Sequence, residues 1–101
     1  MKTDFLDAAR DEFKDAVDYH NAQRPGLGDE FKHEVAAAIV RIKGWPYVWT
    51  RASRRARMCR VKRFPYLVVY VPSETEILVV AIMHGHRRPG YWRKRLKGLG
   101  P

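Results

Sequence analysis

The spacing of apolar residues changes once along this chain, and that change restricts the fold more than any other feature. In the first half apolar side chains return every three or four positions; in the second they alternate or run together. Ala9, Phe13, Ala16, Val17 and His20 share one helical face, with Asp15 and Asp18 on the other side. Asp7 is the expected N-cap of this helix. Asp11 and Glu12 fall in its first turns, where the helix dipole favours negative charge. The run Arg24-Pro25-Gly26-Leu27-Gly28 ends it, because proline lacks a donor and glycine admits positive φ. A second helix starts near Gly28. Leu27, Phe31, Val35, Ala38, Ile39 and Ile42 form its stripe, and Gly44 with Pro46 stops it. Two helices joined this closely make an antiparallel hairpin.

After an irregular basic connector, Tyr47 to Arg57, the pattern becomes that of strands. Arg57 to Arg63 sets Met58, Arg60 and Lys62 against Cys59 and Val61 on opposite faces. Phe64-Pro65 turns into a strand from Tyr66 to Val71. Pro72-Ser73-Glu74-Thr75 turns again into Glu76 to His84. With a short first strand, Lys2 to Leu6, the expected fold is α+β in the order β-α-α-β-β-β. Its antiparallel meander packs on the helix hairpin, and a short helical tail runs from Pro89 to Lys97. One domain, residues 1–101, accommodates all of this. The sheet face away from the helices is expected to be open to solvent or a ligand, with Arg60 and Lys62 on it.

Charge points to the partners. The net charge is +9, and it is concentrated. Residues 1–50 carry seven Lys and Arg against nine Asp and Glu, a net of −2; residues 51–101 carry thirteen against two, a net of +11. A half this basic repels itself unless a polyanion or an acidic protein lies against it. Arg51, Arg54, Arg55, Arg57, Arg60, Lys62 and Arg63 flank the first meander strand. Arg87, Arg88, Arg93, Lys94, Arg95 and Lys97 follow the last. Tyr66, Tyr70, Tyr91 and Trp92 lie among them as rings on which unpaired bases can stack. No apolar run approaches the roughly 20 residues of a membrane span. Cys59 is the only cysteine, so no internal disulfide forms, and a cytoplasmic location is expected.

The segment His84-Gly85-His86-Arg87-Arg88-Pro89-Gly90-Tyr91-Trp92 holds the residue types that RNA cleavage through the 2′-hydroxyl requires: an acid, a base and cations for the phosphate. His84 or His86, Tyr91, and Arg60 or Arg87 fit those roles. A structural reading stands beside it, with His84 capping the last strand and Tyr91 and Trp92 packing the tail. No Cys/His pair of zinc spacing accompanies the two histidines, so neither metal nor cofactor is expected. The acids read mostly as surface helix residues, and His20 and His33 have no motif partner.

Taken in order, several segments resemble RelE/ParE-type toxins of type II toxin–antitoxin (plasmid stabilisation) systems. Phe5-Leu6 with Ala8-Ala9, then Arg24-Pro25-Gly26-Leu27-Gly28 before Phe31 and Glu34-Val35, resembles their start. Arg63-Phe64-Pro65-Tyr66 leading into Val69-Tyr70 is similar to their central hairpin. Ala81-Ile82 with His84, Arg87 and Pro89-Gly90-Tyr91-Trp92 is similar to their last strand and tail. The resemblance implies the same β-α-α-β-β-β fold and a cognate acidic antitoxin that wraps over the toxin and carries the pair to operator DNA. It implies one of two targets. ParE-like members inhibit DNA gyrase; RelE-like members cut mRNA on the ribosome. The tail Pro89-Gly90-Tyr91-Trp92 departs from that of the nucleases, which favours gyrase. A non-toxic or degenerate nucleic-acid-binding module is the third reading. If the chain is a nuclease, Arg60, His84, Arg87 and Tyr91 carry the chemistry. Binding of antitoxin, target or nucleic acid falls to Arg57, Arg60, Lys62, Arg87, Arg88, Tyr91, Trp92 and Arg95.

Overall fold

A computed structural model describes residues 1–99. Strand β1 (Lys2–Phe5) leads into helices α1 (Asp7–Gln23) and α2 (Leu27–Gly44). Strands β2 (Thr50–Arg51), β3 (Arg57–Arg60), β4 (Tyr66–Pro72) and β5 (Glu76–His84) follow, then a 3-10 turn, Arg93–Leu96. The five strands form one sheet in the order β1-β5-β4-β3-β2. The last strands pair antiparallel as a meander, whereas β1 lies parallel to β5, with Lys2 opposite Glu76 and Phe5 opposite Val79. Among the described residues no helix is long and apolar enough to cross a membrane.

The helix hairpin follows from its glycines. Gly26 takes φ +90°, a left-handed conformation that side chains disfavour. Gly28 is buried where α2 meets α1, and a Cβ there would overlap the Val17 carbonyl and the Asn21 amide. Its N–H donates to Asn21 Oδ1 at 2.7 Å, satisfying one of the free donors at the start of α2. The two apolar stripes, with Ala9, Val17, Phe31, Val35 and Ile42 at their centre, bury against Cys59, Val61, Val68, Tyr70, Ile77 and Val79 on one sheet face.

Several local expectations are corrected. Leu6, not Asp7, is the N-cap of α1; its side chain makes no capping bond, and Asp7 already lies in the first turn. The connector from Tyr47 to Arg57 contains β2, which pairs Thr50 with Met58 and Arg51 with Arg57. Strand β3 ends at Arg60, so Lys62 and Arg63 belong to the following turn. Arg63 has φ 70° and is tied to Glu30 and Glu34 of α2 at 2.5 and 3.7 Å. Among the described residues the tail expected to be helical holds one 3-10 turn.

The largest correction concerns the second sheet face, which is not open. Ala56, Val69, Val80, Ala81 and Met83 are buried there beneath Trp92, with Met58, Leu67 and Leu96 packed around them. The cause is in β5. Ile77 to Met83 is apolar throughout, as expected of a strand buried on both sides rather than one. The chain's own C-terminal segment provides the second cover.

Candidate functional site

Glu12 organises the region where that tail meets α1 and the end of β5. Strand β1 pairs with β5 only as far as Val79, which leaves the next backbone groups of β5 without a strand beside them. Side chains take their place. Glu12 Oε1 accepts the Ile82 N–H at 3.1 Å, and Arg95 donates to the Val80 carbonyl at 2.9 Å. The same carboxylate accepts two bonds from Arg95, each 2.9 Å, and one from the Tyr91 hydroxyl at 2.6 Å. Burial opposes ionisation of Glu12. The hydrogen bonds from Arg95 and Tyr91, the Arg95 charge and the Ile82 N–H outweigh it, holding the carboxyl below its usual value. The Tyr91 phenol is pushed far up, by burial first and then by its bond to Glu12. Arg87 lies over the Tyr91 ring at 3.8 Å, a close cation–π contact.

The nuclease candidates are divided between two hollows that share Tyr66. His84 and Arg87 line one of about 230 Å³ with Glu12, Asp15, Tyr19 and Tyr66. Arg60 lines another, of about 310 Å³, with His86, Leu67 and Pro65. The His86 N–H donates to His84 Nδ1 at 3.0 Å, which leaves the His84 ring proton on Nε2. The His84 ring meets the Tyr66 ring edge-on at 5.0 Å. Tyr91, held by Glu12, lines neither hollow. The His84 and His86 rings are 5.2 Å apart, and among the described residues no cluster of three or more His, Cys, Asp or Glu could hold a metal ion.

The expected binding residues are also sorted by the fold. Trp92 is 2% exposed in the second core and offers no free ring face. Tyr70 is buried as well, its hydroxyl donating to the Pro46 carbonyl at 2.7 Å. Arg95 is committed to Glu12. Arg60, Lys62, Arg87 and Arg88 are exposed, and Arg57, half-buried, donates to the Trp49 carbonyl at 2.9 Å. Arg60 and Lys62 also border a hollow of about 530 Å³, with Arg41, Arg63, Trp49 and Cys59. None of Arg57, Arg60, Lys62, Arg87 or Arg88 has a carboxylate within ion-pair distance among the described residues.

Glu12, central to this geometry, is missed by sequence reasoning, whereas His20 already falls on the apolar stripe of α1. Glu12 looks like any acid near the start of a helix; only its place beside the apolar face of α1 hints at burial. His20, also without a motif, is buried. Its Nδ1 donates to the Ala16 carbonyl at 2.6 Å, and its ring stacks on Phe31 with centroids 5.0 Å apart. Its position on the apolar stripe of α1 is the signal that assigns it to the core.

Comparison with known proteins fits this architecture. A chain from the solved structure "Chromosomal ParDE TA system from P. aeruginosa" has the same fold, with a TM-score of 0.64 and 15% identity. The match covers 83% of this chain and 95% of that one. No curated protein matches. The family model described as the ParE toxin of the type II toxin–antitoxin system, parDE, matches residues 4–89, from β1 to the start of the tail. The chain therefore belongs to the ParE toxin family of type II toxin–antitoxin systems.

Proposed function

We propose that this ParE-type toxin acts by binding DNA gyrase and inhibiting it, and that a cognate acidic antitoxin neutralises it and carries the pair to operator DNA. The observation that carries the non-enzymatic reading is the state of Tyr91. Its hydroxyl proton is engaged by Glu12 at 2.6 Å and its ionisation is strongly opposed, so the phenol is poorly suited to proton transfer. The antitoxin is supported by charge. A protein of net charge +9 keeps Arg57, Arg60, Lys62, Arg87 and Arg88 without acidic partners of its own, and an acidic segment complements them. The hollow beside Trp49 and Cys59 adds an apolar seat for such a segment.

Induction of the chain alone is expected to stop growth, and co-expression of the neighbouring acidic antitoxin to restore it. Purified protein is expected to block supercoiling by purified gyrase; unchanged supercoiling at stoichiometric excess refutes the target. A second reading, cleavage of mRNA on the ribosome, draws on the hollow that gathers His84, Arg87, Tyr66 and Glu12. Its mark is new codon-phased 5′ ends in primer extension on translated mRNA, lost in Arg87→Ala.

A further inference from the structure

The β2–β3 loop carries a cationic cleft of which only Arg57 enters the antitoxin reading above. Arg51, Arg54, Arg55 and Arg57 line a space of about 120 Å³ together with Tyr47, Ala56 and Pro72. The loop that presents them is braced. Ala52 and Ser53 donate to the Ala56 carbonyl at 2.9 and 3.2 Å, and the Ala56 N–H donates to Ser53 Oγ at 3.2 Å. Arg51 donates to the Arg54 carbonyl at 3.1 Å, and Arg93, from the tail, donates to Ala52 O at 3.2 Å. Arg51, Arg54 and Arg57 have no carboxylate at ion-pair distance among the described residues. The guanidinia of these three, gathered on one braced loop, repel one another, and an anion placed between them removes that repulsion. Each has five N–H donors in a fork that matches phosphate oxygens.

Two features select the anion. The cleft has room for one compact group such as a phosphate, and apart from the Tyr47 ring its apolar lining is Ala56 and Pro72, too little to seat the side chains of an extended acidic–apolar peptide. Beside it stands an aromatic platform. Tyr47 is 55% exposed, with the Arg57 guanidinium 5.8 Å from its ring centre, and Trp45 two residues earlier is 67% exposed. Cations for a phosphate next to an open ring for a base are the components of a single-strand contact.

We propose that this loop binds a single-stranded polynucleotide, a backbone phosphate lying among Arg51, Arg54 and Arg57 and an unpaired base on Tyr47. The site is separate from the hollows assigned above, and its test does not depend on gyrase.

Fluorescence anisotropy with labelled 12-nucleotide oligo(dT) and oligo(U), across a salt series, provides that test. The wild-type chain binds at least one of the two, and comparison of the arms identifies whether DNA, RNA or both supply the strand. Arg51→Ala with Arg54→Ala reduces the slope of log K against log salt by up to about 0.7, the value for the one phosphate contact that the two help to make. Tyr47→Ala weakens binding roughly tenfold with the slope unchanged, because stacking releases no counter-ion. Arg54→Glu, at a side chain with no intramolecular bond among the described residues, weakens binding while leaving the thermal unfolding midpoint in place. Lys14→Ala with Lys32→Ala removes the same charge from the helices and leaves the slope nearly unchanged. The proposal is overturned by absence of binding to both oligonucleotides, by equal losses in the two double variants, or by a Tyr47→Ala chain that binds like wild type. Competition by a poly-glutamate peptide as effective as that by unlabelled oligonucleotide also overturns it.

Discussion

Replacing Glu12 by Gln removes one charge from a side chain that holds three parts of the fold together. Glu12 and Arg95 expose only 16% and 21% of their side chains, and the carboxylate accepts four bonds. Gln keeps the size but loses the charge and one acceptor oxygen, and turns an N–H₂ group toward donors. Stranding one partner of a fully buried ion pair costs about 3–5 kcal/mol. Water reaches part of this pair, so we expect about 2–3 kcal/mol, or a fall of about 10–20 °C in Tm for a domain of this size. The cost is pH-dependent. The folded-state pKa of Glu12 lies below its unfolded value, so its contribution is present above the unfolded pKa and is lost as pH falls through the folded one. The deficit of Glu12→Gln should therefore shrink progressively as pH falls below the unperturbed glutamate value of about 4.3. Urea unfolding monitored by tryptophan fluorescence at neutral and acid pH measures both effects, and trypsin should cut sooner at Arg93 and Lys94 in the variant. A Gln variant within about 0.5 kcal/mol of wild type, or a deficit undiminished at about pH 3, would refute the reasoning.

Two further substitutions probe the frame around that network. Gly28→Ala should destabilise by about 2–3 kcal/mol in thermal denaturation, since its methyl group meets the Val17 carbonyl and Asn21 where the helices touch; a loss below about 0.5 kcal/mol would contradict the close approach. Tyr70 titrates at about 12, raised from 10.0 chiefly by burial, so its contribution is complete below pH 10 and declines as pH rises through the folded value. Tyr70→Phe should cost about 1 kcal/mol at neutral pH, through the lost bond to Pro46, and should flatten the alkaline decline in stability.

The parts of the fold legible in the sequence are those fixed by local spacing. The stripe from Leu27 to Ile42, the stop at Gly44 and Pro46, and the turns at Phe64-Pro65 and Pro72–Thr75 each depend on neighbours within a few residues. Contacts between distant segments were less accessible. Nothing local distinguishes β1 beside β5 from β1 elsewhere. Glu12 finds Tyr91 and Arg95 across 79 and 83 residues of chain. The burial of both sheet faces did leave a trace, the unbroken apolar run from Ile77 to Met83, but alternation in β3 suggested an open face. Of the two roles the sequence allows Trp92, a binding ring or packing for the tail, the structure takes the second, and a ring that large matches the apolar face left by Val69 and Val80. His84 and Arg87, close in sequence at the end of β5, line one hollow, and Arg87 also lies over the Tyr91 ring. Arg60, grouped with them by charge and by the family resemblance, ends β3 and lines a different hollow.

Inhibition by binding and inhibition by chemistry differ most clearly in stoichiometry. Titration of the purified protein into a fixed amount of gyrase acting on relaxed plasmid should abolish supercoiling only as the two approach equimolar amounts, with Tyr91→Phe and His84→Ala as effective as wild type. Loss of supercoiling at far lower toxin ratios, abolition of the effect by either substitution, or no effect at any ratio would contradict the account.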